Sequence, residues 1–252
     1  MKCAKCYEAV QAGQRFCPNC GTRLDETTAH EGGPIATDTA EHRQISIVFT
    51  DIVQSTSLTS SLGAEAYREL LRAYREIAAQ VFAKYKGRVA SFVGDGIMIC
   101  FGFPQSREDD PVRAVQASLE LQERVAALNL DGRLRARVGA FQIRIGVHTG
   151  VVLAGDIRSE MTVEPMATVG EAPNIAARLQ SEAPPGSIII SQDTYELVGN
   201  HFDCRFLGAP PLRGIGREVR IFEVHSPAAG DGMRRGPVRG RLVGREDRKS
   251  VV

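Results

Sequence analysis

The stretch Ser91-Phe92-Val93-Gly94-Asp95-Gly96-Ile97-Met98-Ile99-Cys100-Phe101-Gly102 constrains this chain more than any other. Two runs rich in β-branched and aromatic residues flank a Gly-Asp-Gly tip, which predicts a hairpin that leaves one carboxylate, Asp95, bare at its turn. A second run, Ile45-Ser46-Ile47-Val48-Phe49-Thr50-Asp51-Ile52, predicts a buried strand that also ends in an aspartate. An Asp-Gly turn alone is an ordinary hairpin signal. Two strand-end carboxylates, Asp51 and Asp95, are what a site holding divalent cations against a triphosphate requires.

At 252 residues and 43% hydrophobic, the chain can bury one good-sized core with length left for a small module or tails. Its 31 basic and 30 acidic residues give a net charge of +1, which exerts no global pull toward nucleic acid or an anionic membrane. No run approaches the length of a membrane span, and the Met-Lys-Cys start is not an export signal, so the expectation is a cytoplasmic protein with no membrane partner. Cys3, Cys6, Cys17 and Cys20 form two C-x-x-C pairs, which in such a chain favours a zinc ribbon over residues 1–24 holding one structural Zn²⁺. With little else there to bury, coordination energy stands in for a core. The ribbon has no basic stripe, so protein contact or a structural role is favoured over nucleic acid.

Residues 25–40 read as a linker and 41–225 as the main domain. After the first strand, the polar turn Val53 to Leu58 holds Ser55 and Thr56, where a helix start can offer amides to phosphate oxygens. An amphipathic helix follows, with Gly87 expected as its left-handed cap. Beyond the hairpin, Pro111 opens a second helix that runs to Leu128. A third β pair is expected from Phe141–Val147 and Val151–Ile157, joined at His148-Thr149-Gly150, with His148 structural. Glu160 to Ala167 reads as a flexible excursion. A helix beginning near Gly170 carries Asn174 and Arg178 on one side, four residues apart. Strand Ser187–Ser191, helix Gln192–Val198 and strands Phe202–Leu207 and Glu218–Val224 complete the domain, and 226–252 reads as a flexible tail. The order predicts an α+β sheet with helices on one face, close to the ferredoxin-like arrangement.

Taken in order, Phe49-Thr50-Asp51-Ile52, Val93-Gly94-Asp95-Gly96, Gly146-Val147-His148-Thr149-Gly150 and Val169-Gly170-Glu171-Ala172-Pro173-Asn174-Ile175-Ala176-Ala177-Arg178 resemble the class III adenylate/guanylate cyclase catalytic domain. Its bacterial, soluble-adenylyl-cyclase-like branch is the nearest in pattern. The resemblance implies the class III cyclase fold, a central, mainly antiparallel sheet with packed helices. It implies ATP as substrate, with GTP as an alternative, and cyclisation by attack of the ribose 3′-hydroxyl on the α-phosphorus. Two Mg²⁺ or Mn²⁺ ions per site would be held by Asp51, Asp95 and the backbone carbonyl of Ile52. Arg178 would stabilise charge at the α-phosphate, Asn174 would orient the ribose, and Arg213 or Arg217 would meet the terminal phosphates. Because one chain carries both halves, a homodimer with two equivalent sites is implied. The segment Arg241 to Asp247 also resembles the run-in to an ATPase module.

The chain departs from the family where the base is read. Ser91 and Ala167 stand where effective adenylyl cyclases carry lysine and an Asp or Thr, and Thr168 lies one position away. The resemblance therefore implies modest preference for ATP over GTP. A second reading keeps the nucleotide grip but makes the domain a regulator of a partner or of a C-terminal ATPase. A third, a palm-like polymerising domain, lacks a basic template groove.

Overall fold

The β-branched and aromatic residues over Glu41–Ile52 produce β1, a strand paired on both sides within the sheet. The computed structural model describes residues 41–128, 141–158 and 163–228. The expectations for the zinc ribbon, the linker and most of the tail fall outside these residues. The order continues with helices α1 (Ser55–Leu62) and α2 (Ala64–Lys84), then hairpin strands β2 (Arg88–Val93) and β3 (Gly96–Phe101). Helix α3 (Asp110–Leu128) precedes β4 (Ile143–Arg158) and β5 (Val163–Val169). Helix α4 (Glu171–Glu182), β6 (Ile188–Ser191), α5 (Gln192–Val198), β7 (Phe202–Gly208) and β8 (Ile221–Pro227) follow. The strands lie in the order β2-β3-β1-β4-β6-β8-β7, with β5 paired to β4 and the β4–β6 pair parallel. This is the α+β, mainly antiparallel class the sequence predicts.

The helices are not all on one face. Period-two alternation sends Val48 and Ile52 of β1 into the larger core with α2, α3 and Val198 of α5, and sends Ile45 and Ile47 toward Ala172 and Ala176 of α4. Both faces of the sheet centre are thus buried, as a strand run this apolar requires. Gly146 lets α4 come close: a Cβ there would lie 2.2 Å from the Gln180 nitrogen and 2.4 Å from the Ala176 oxygen.

The expected third β pair is instead one sixteen-residue strand, β4. It pairs with β1 in unbroken register from Glu41↔Ala154 to Ile52↔Ile143, so no turn forms at His148-Thr149-Gly150. Those polar residues are accepted in a strand because the fold supplies partners: Thr149 Oγ1 lies 2.8 Å from Ser46 Oγ, and His148 Nδ1 lies 2.8 Å from Ser191 Oγ. The excursion expected over Glu160 to Ala167 is, from Val163 onward, strand β5. The polar turn after β1 is mostly helix α1, whose Thr59, Ser60 and Ser61 hydroxyls donate to carbonyls four residues back. Strand β8 begins at Ile221, three residues later than expected.

Helix α2 ends differently too. Lys86, not Gly87, takes the left-handed conformation (φ 65°). Lys86 N donates to Ala83 O and Gly87 N to Phe82 O, the paired bonds of a Schellman ending. Gly87 is required for another reason, since a Cβ there would sit 2.5 Å from the Phe101 ring.

Tyr74 of α2 is buried against Phe141 and hydrogen-bonds Thr50 at 2.9 Å, one residue before Asp51. Thr50→Val keeps the shape but strips the phenol of its partner, so a loss of about 1–3 kcal/mol is expected in urea unfolding. An unchanged midpoint would mean that the phenol finds another partner.

Candidate active site

Two strand ends bring the acidic residues together. Asp51 closes β1, and Asp95 occupies the two-residue turn between Val93 and Gly96. Gly94 takes φ +63° at the first turn position, as a II′-type hairpin demands. The two carboxyl groups lie close enough to interact, and Asp95 Oδ2 is buried without a partner. Burial, followed by the carboxyl and charge of Asp95, pushes Asp51 up to about 6, while a backbone hydrogen bond at Ile52 and the charge of Arg144 oppose that rise. Two carboxylates so placed repel each other unless a proton or a cation lies between them.

This donor set fits a hard divalent cation. Among the described residues no three His, Cys, Asp or Glu side chains gather around a common point. A closed protein cage is thus not formed by these residues. One or two carboxylates completed by a backbone carbonyl, phosphate oxygens and water is the usual provision for Mg²⁺. Ile52 follows Asp51 directly and would supply that carbonyl.

Three further residues surround the pair. Arg144 of β4 stands opposite Asp51 in the strand register, and its Nε is buried without a partner. The Tyr67 phenol interacts with Asp95, Asp51, Ser55 and Thr59, and its pKa is raised, first by burial and then by Asp95. Arg75 of α2 donates from Nη2 to the Gly94 carbonyl at 2.5 Å and lies 4.6 Å from the centre of the Phe92 ring, so it grips the hairpin tip. Sequence reasoning missed all three. Tyr67 falls within an amphipathic helical pattern that marks it as nothing more, and the position of Arg144 depends on a strand pairing that local sequence does not encode.

Ser55 and Thr56 open α1, whose preceding residue Gln54 is left-handed and makes no side-chain cap. The first amides of the helix are therefore available to an anion. Ser91 pairs with Met98 across the hairpin, beside a register irregularity between Val89 and Ser91. Ala167 and Thr168 lie on β5, opposite Gly155 and Ala154, and β5 runs close to β2.

Asn174 and Arg178 form a second group on the exposed side of α4. Arg178 Nε donates to the Arg213 carbonyl at 2.9 Å. Among the described residues no hydrogen bond or ion pair joins this group to Asp51 or Asp95, and Arg144 is the cation whose charge bears on Asp51. Arg213 is exposed, whereas Arg217 is ion-paired to Glu171 and Asp193. His148 is structural, as expected: burial pushes its pKa down to about 4, so it stays neutral at ordinary pH.

Residues 37–226 match the family model of the adenylate and guanylate cyclase catalytic domain, and residues 2–24 match that of a zinc-ribbon domain. The chain belongs to the adenylate and guanylate cyclase catalytic-domain family, with an N-terminal zinc ribbon. The adenylyl cyclase CyaB from P. aeruginosa superposes with a TM-score of 0.71 at 29% identity, covering 77% of this chain and 99% of that one. The guanylyl cyclase Cya2 superposes at 0.67, also 29% identical, covering 77% of this chain and 98% of that one. Adenylate cyclase 1 of Rhizobium meliloti (strain 1021) is 24% identical over 77% of this chain, which spans 29% of its length. The chain spans 9% of the length of the Dictyostelium discoideum adenylate cyclase it matches and 54% of that of a Mycobacterium bovis relative. No helix among the described residues is long and apolar enough to cross a membrane.

Proposed function

We propose that this domain converts ATP to 3′,5′-cyclic AMP and pyrophosphate, at sites completed between two copies of the chain. The observation that carries this is the Asp51–Asp95 pair, with one buried oxygen unpartnered and one carboxyl raised to about 6 by burial and by its acidic neighbour. Asp51, Asp95 and the Ile52 carbonyl would hold two Mg²⁺ or Mn²⁺ ions. When bound, such ions favour ionisation of the ribose 3′-hydroxyl and neutralise the triphosphate. The 3′-oxygen attacks the α-phosphorus, the bond from that phosphorus to the bridging oxygen breaks, and pyrophosphate departs with the electron pair. Arg178 places a guanidinium at the charge growing on the α-phosphate, and Asn174 orients the ribose. Arg144, with a free Nε beside the carboxylates, faces the phosphates from the metal side, and the α1 amides at Ser55 and Thr56 receive their oxygens.

Dimerisation is supported by the separation of the two groups within one chain. A two-fold axis would place each α4 against the carboxylates of the other copy. Base reading would fall to Ser91 with Ala167 or Thr168, a sparse set of donors. ATP is then preferred over GTP by ~10-fold or less, since one hydrogen bond contributes on the order of 1 kcal/mol.

The test is turnover of ATP and of GTP with Mn²⁺ or Mg²⁺ by the purified chain, alongside Asp95→Ala and Arg178→Ala. Each variant alone should make no cyclic nucleotide. An equal mixture should regain roughly a quarter of native activity, because half the dimers are mixed and each mixed dimer has one intact site. Nucleotide binding without product, in a dimer, would shift the reading to the regulatory role.

A further inference from the structure

The sequence leaves Arg213 and Arg217 as alternatives for the terminal phosphates, and the structure separates them. Arg217 Nε donates to Glu171 Oε2 at 3.1 Å, and its Nη2 donates to Asp193 Oδ2 at 3.3 Å. Glu171 is the first residue of α4, and Asp193 lies in the first turn of α5. One guanidinium therefore ties the starts of two helices to the approach to β8. Four residues earlier, the Arg213 carbonyl receives the Arg178 Nε proton. Beneath this loop, Leu212 and Val219 are buried with Ile175 and Leu179 of α4. The loop is held to α4 by Arg217 at one end, Arg178 at the other and apolar packing between them.

The charges around Arg217 argue against contact with a polyanion. Its one positive charge faces two carboxylates, so the cluster is net negative and repels phosphate oxygens. Arg213 has no ion-pair partner among the described residues and is free to meet substrate. Arg178, for its part, gains from the carbonyl. With Nε fixed by Arg213 O, its two terminal nitrogens are left to fork onto one phosphate group.

We propose that Arg217 is a positioning residue. By pinning the loop to Glu171 and Asp193, it fixes the carbonyl that aims Arg178. This rests on the reading that Arg178 acts at the α-phosphate. The pairs are partly exposed and individually weak, so the effect lies in alignment more than in stability.

The experiment compares Arg217→Met, Glu171→Gln and Arg213→Met in steady-state kinetics, with amide hydrogen exchange measured on each protein. Arg217→Met is expected to lower kcat roughly ten- to a hundredfold, the scale of a misplaced catalytic group, with KM for ATP within about twofold of native. Glu171→Gln should act in the same direction, and combining the two should add less than their sum. Arg213→Met should instead raise KM. Amides of Gly214 to Arg217 should exchange faster in Arg217→Met while those of β6 do not change. A raised KM with native kcat for Arg217→Met would make Arg217 a substrate ligand and overturn the proposal, as would native kinetics together with native exchange. If the native chain makes no cyclic nucleotide, the reading of the site falls. The exchange measurement then still decides whether Arg217 pins the loop.

Discussion

Valine at position 146 is expected to leave the chain unable to fold. Gly146 lies mid-strand in β4, directly under α4, and even a single methyl there would approach two backbone atoms of that helix at 2.2 and 2.4 Å. Backbone cannot swing aside as a flexible side chain can, so α4 would have to lift from the sheet. Lifting it uncovers Ala172, Ile175, Ala176 and Leu179, all buried. The expected loss exceeds about 4 kcal/mol, the range in which overpacking abolishes a marginally stable fold. Gly216→Ala is the control: nothing lies within 4 Å of a Cβ at that position, and a change within about 0.5 kcal/mol is expected. Urea unfolding followed by circular dichroism reads both. A cooperative Gly146→Val protein with a native midpoint would rule out the close seating of α4 on β4.

Asp51→Asn is expected to abolish turnover and at the same time to stabilise the metal-free protein. The activity loss should be roughly a thousandfold or more, equivalent to about 4 kcal/mol, because a carboxylate proposed to hold the ions is gone. The stability gain follows from the pKa. Asp51 is raised from 3.8 to about 6 in the folded protein, chiefly by burial and then by Asp95, so folding favours its protonated form. Its contribution to stability is full below about pH 4 and is lost as pH rises through about 6. Asparagine resembles the protonated acid at every pH. Without added metal, the variant should therefore melt higher than the native chain above pH 6, by the equivalent of ~1 kcal/mol once solvent screening of a half-buried group is allowed for. The difference should close on acidification toward pH 4. Mn²⁺ should raise the native melting temperature and leave the variant's nearly unchanged. A variant less stable than the native protein at pH 7.5 would show that Asp51 has structural partners outweighing its burial.

Where local chemistry decides, the sequence was easy to read. The hairpin tip at Gly94-Asp95 was found from its turn residues, helix α5 was placed at Gln192–Val198, and the helix carrying Asn174 and Arg178 was found. Where a distant partner decides, it was not. His148-Thr149-Gly150 looks like a turn because it is polar and ends in glycine. It is strand because Ser46 and Ser191 hydrogen-bond its side chains. Gly150 is small because a Cβ would come within 2.8 Å of His148 Nε2. The same limit hid Arg144, whose place beside Asp51 is set by the β1–β4 register. Helices on both faces were missed because an amphipathic pattern shows that a helix has a buried side without showing which face of the sheet receives it.

The two acidic residues are held in place by different means. Asp51 ends a strand locked between two neighbours, and sliding β1 by one residue would turn every side chain to the opposite face. Asp95 rides on a hairpin at the margin of the sheet, where the β2–β3 ladder slips register between Val89 and Ser91. One carboxylate is set by two flanking ladders and the other by a single turn. Asp95 therefore depends for its place on the hairpin turn, and Arg75 of α2, bonded to the Gly94 carbonyl, is what ties that turn back to the body of the domain.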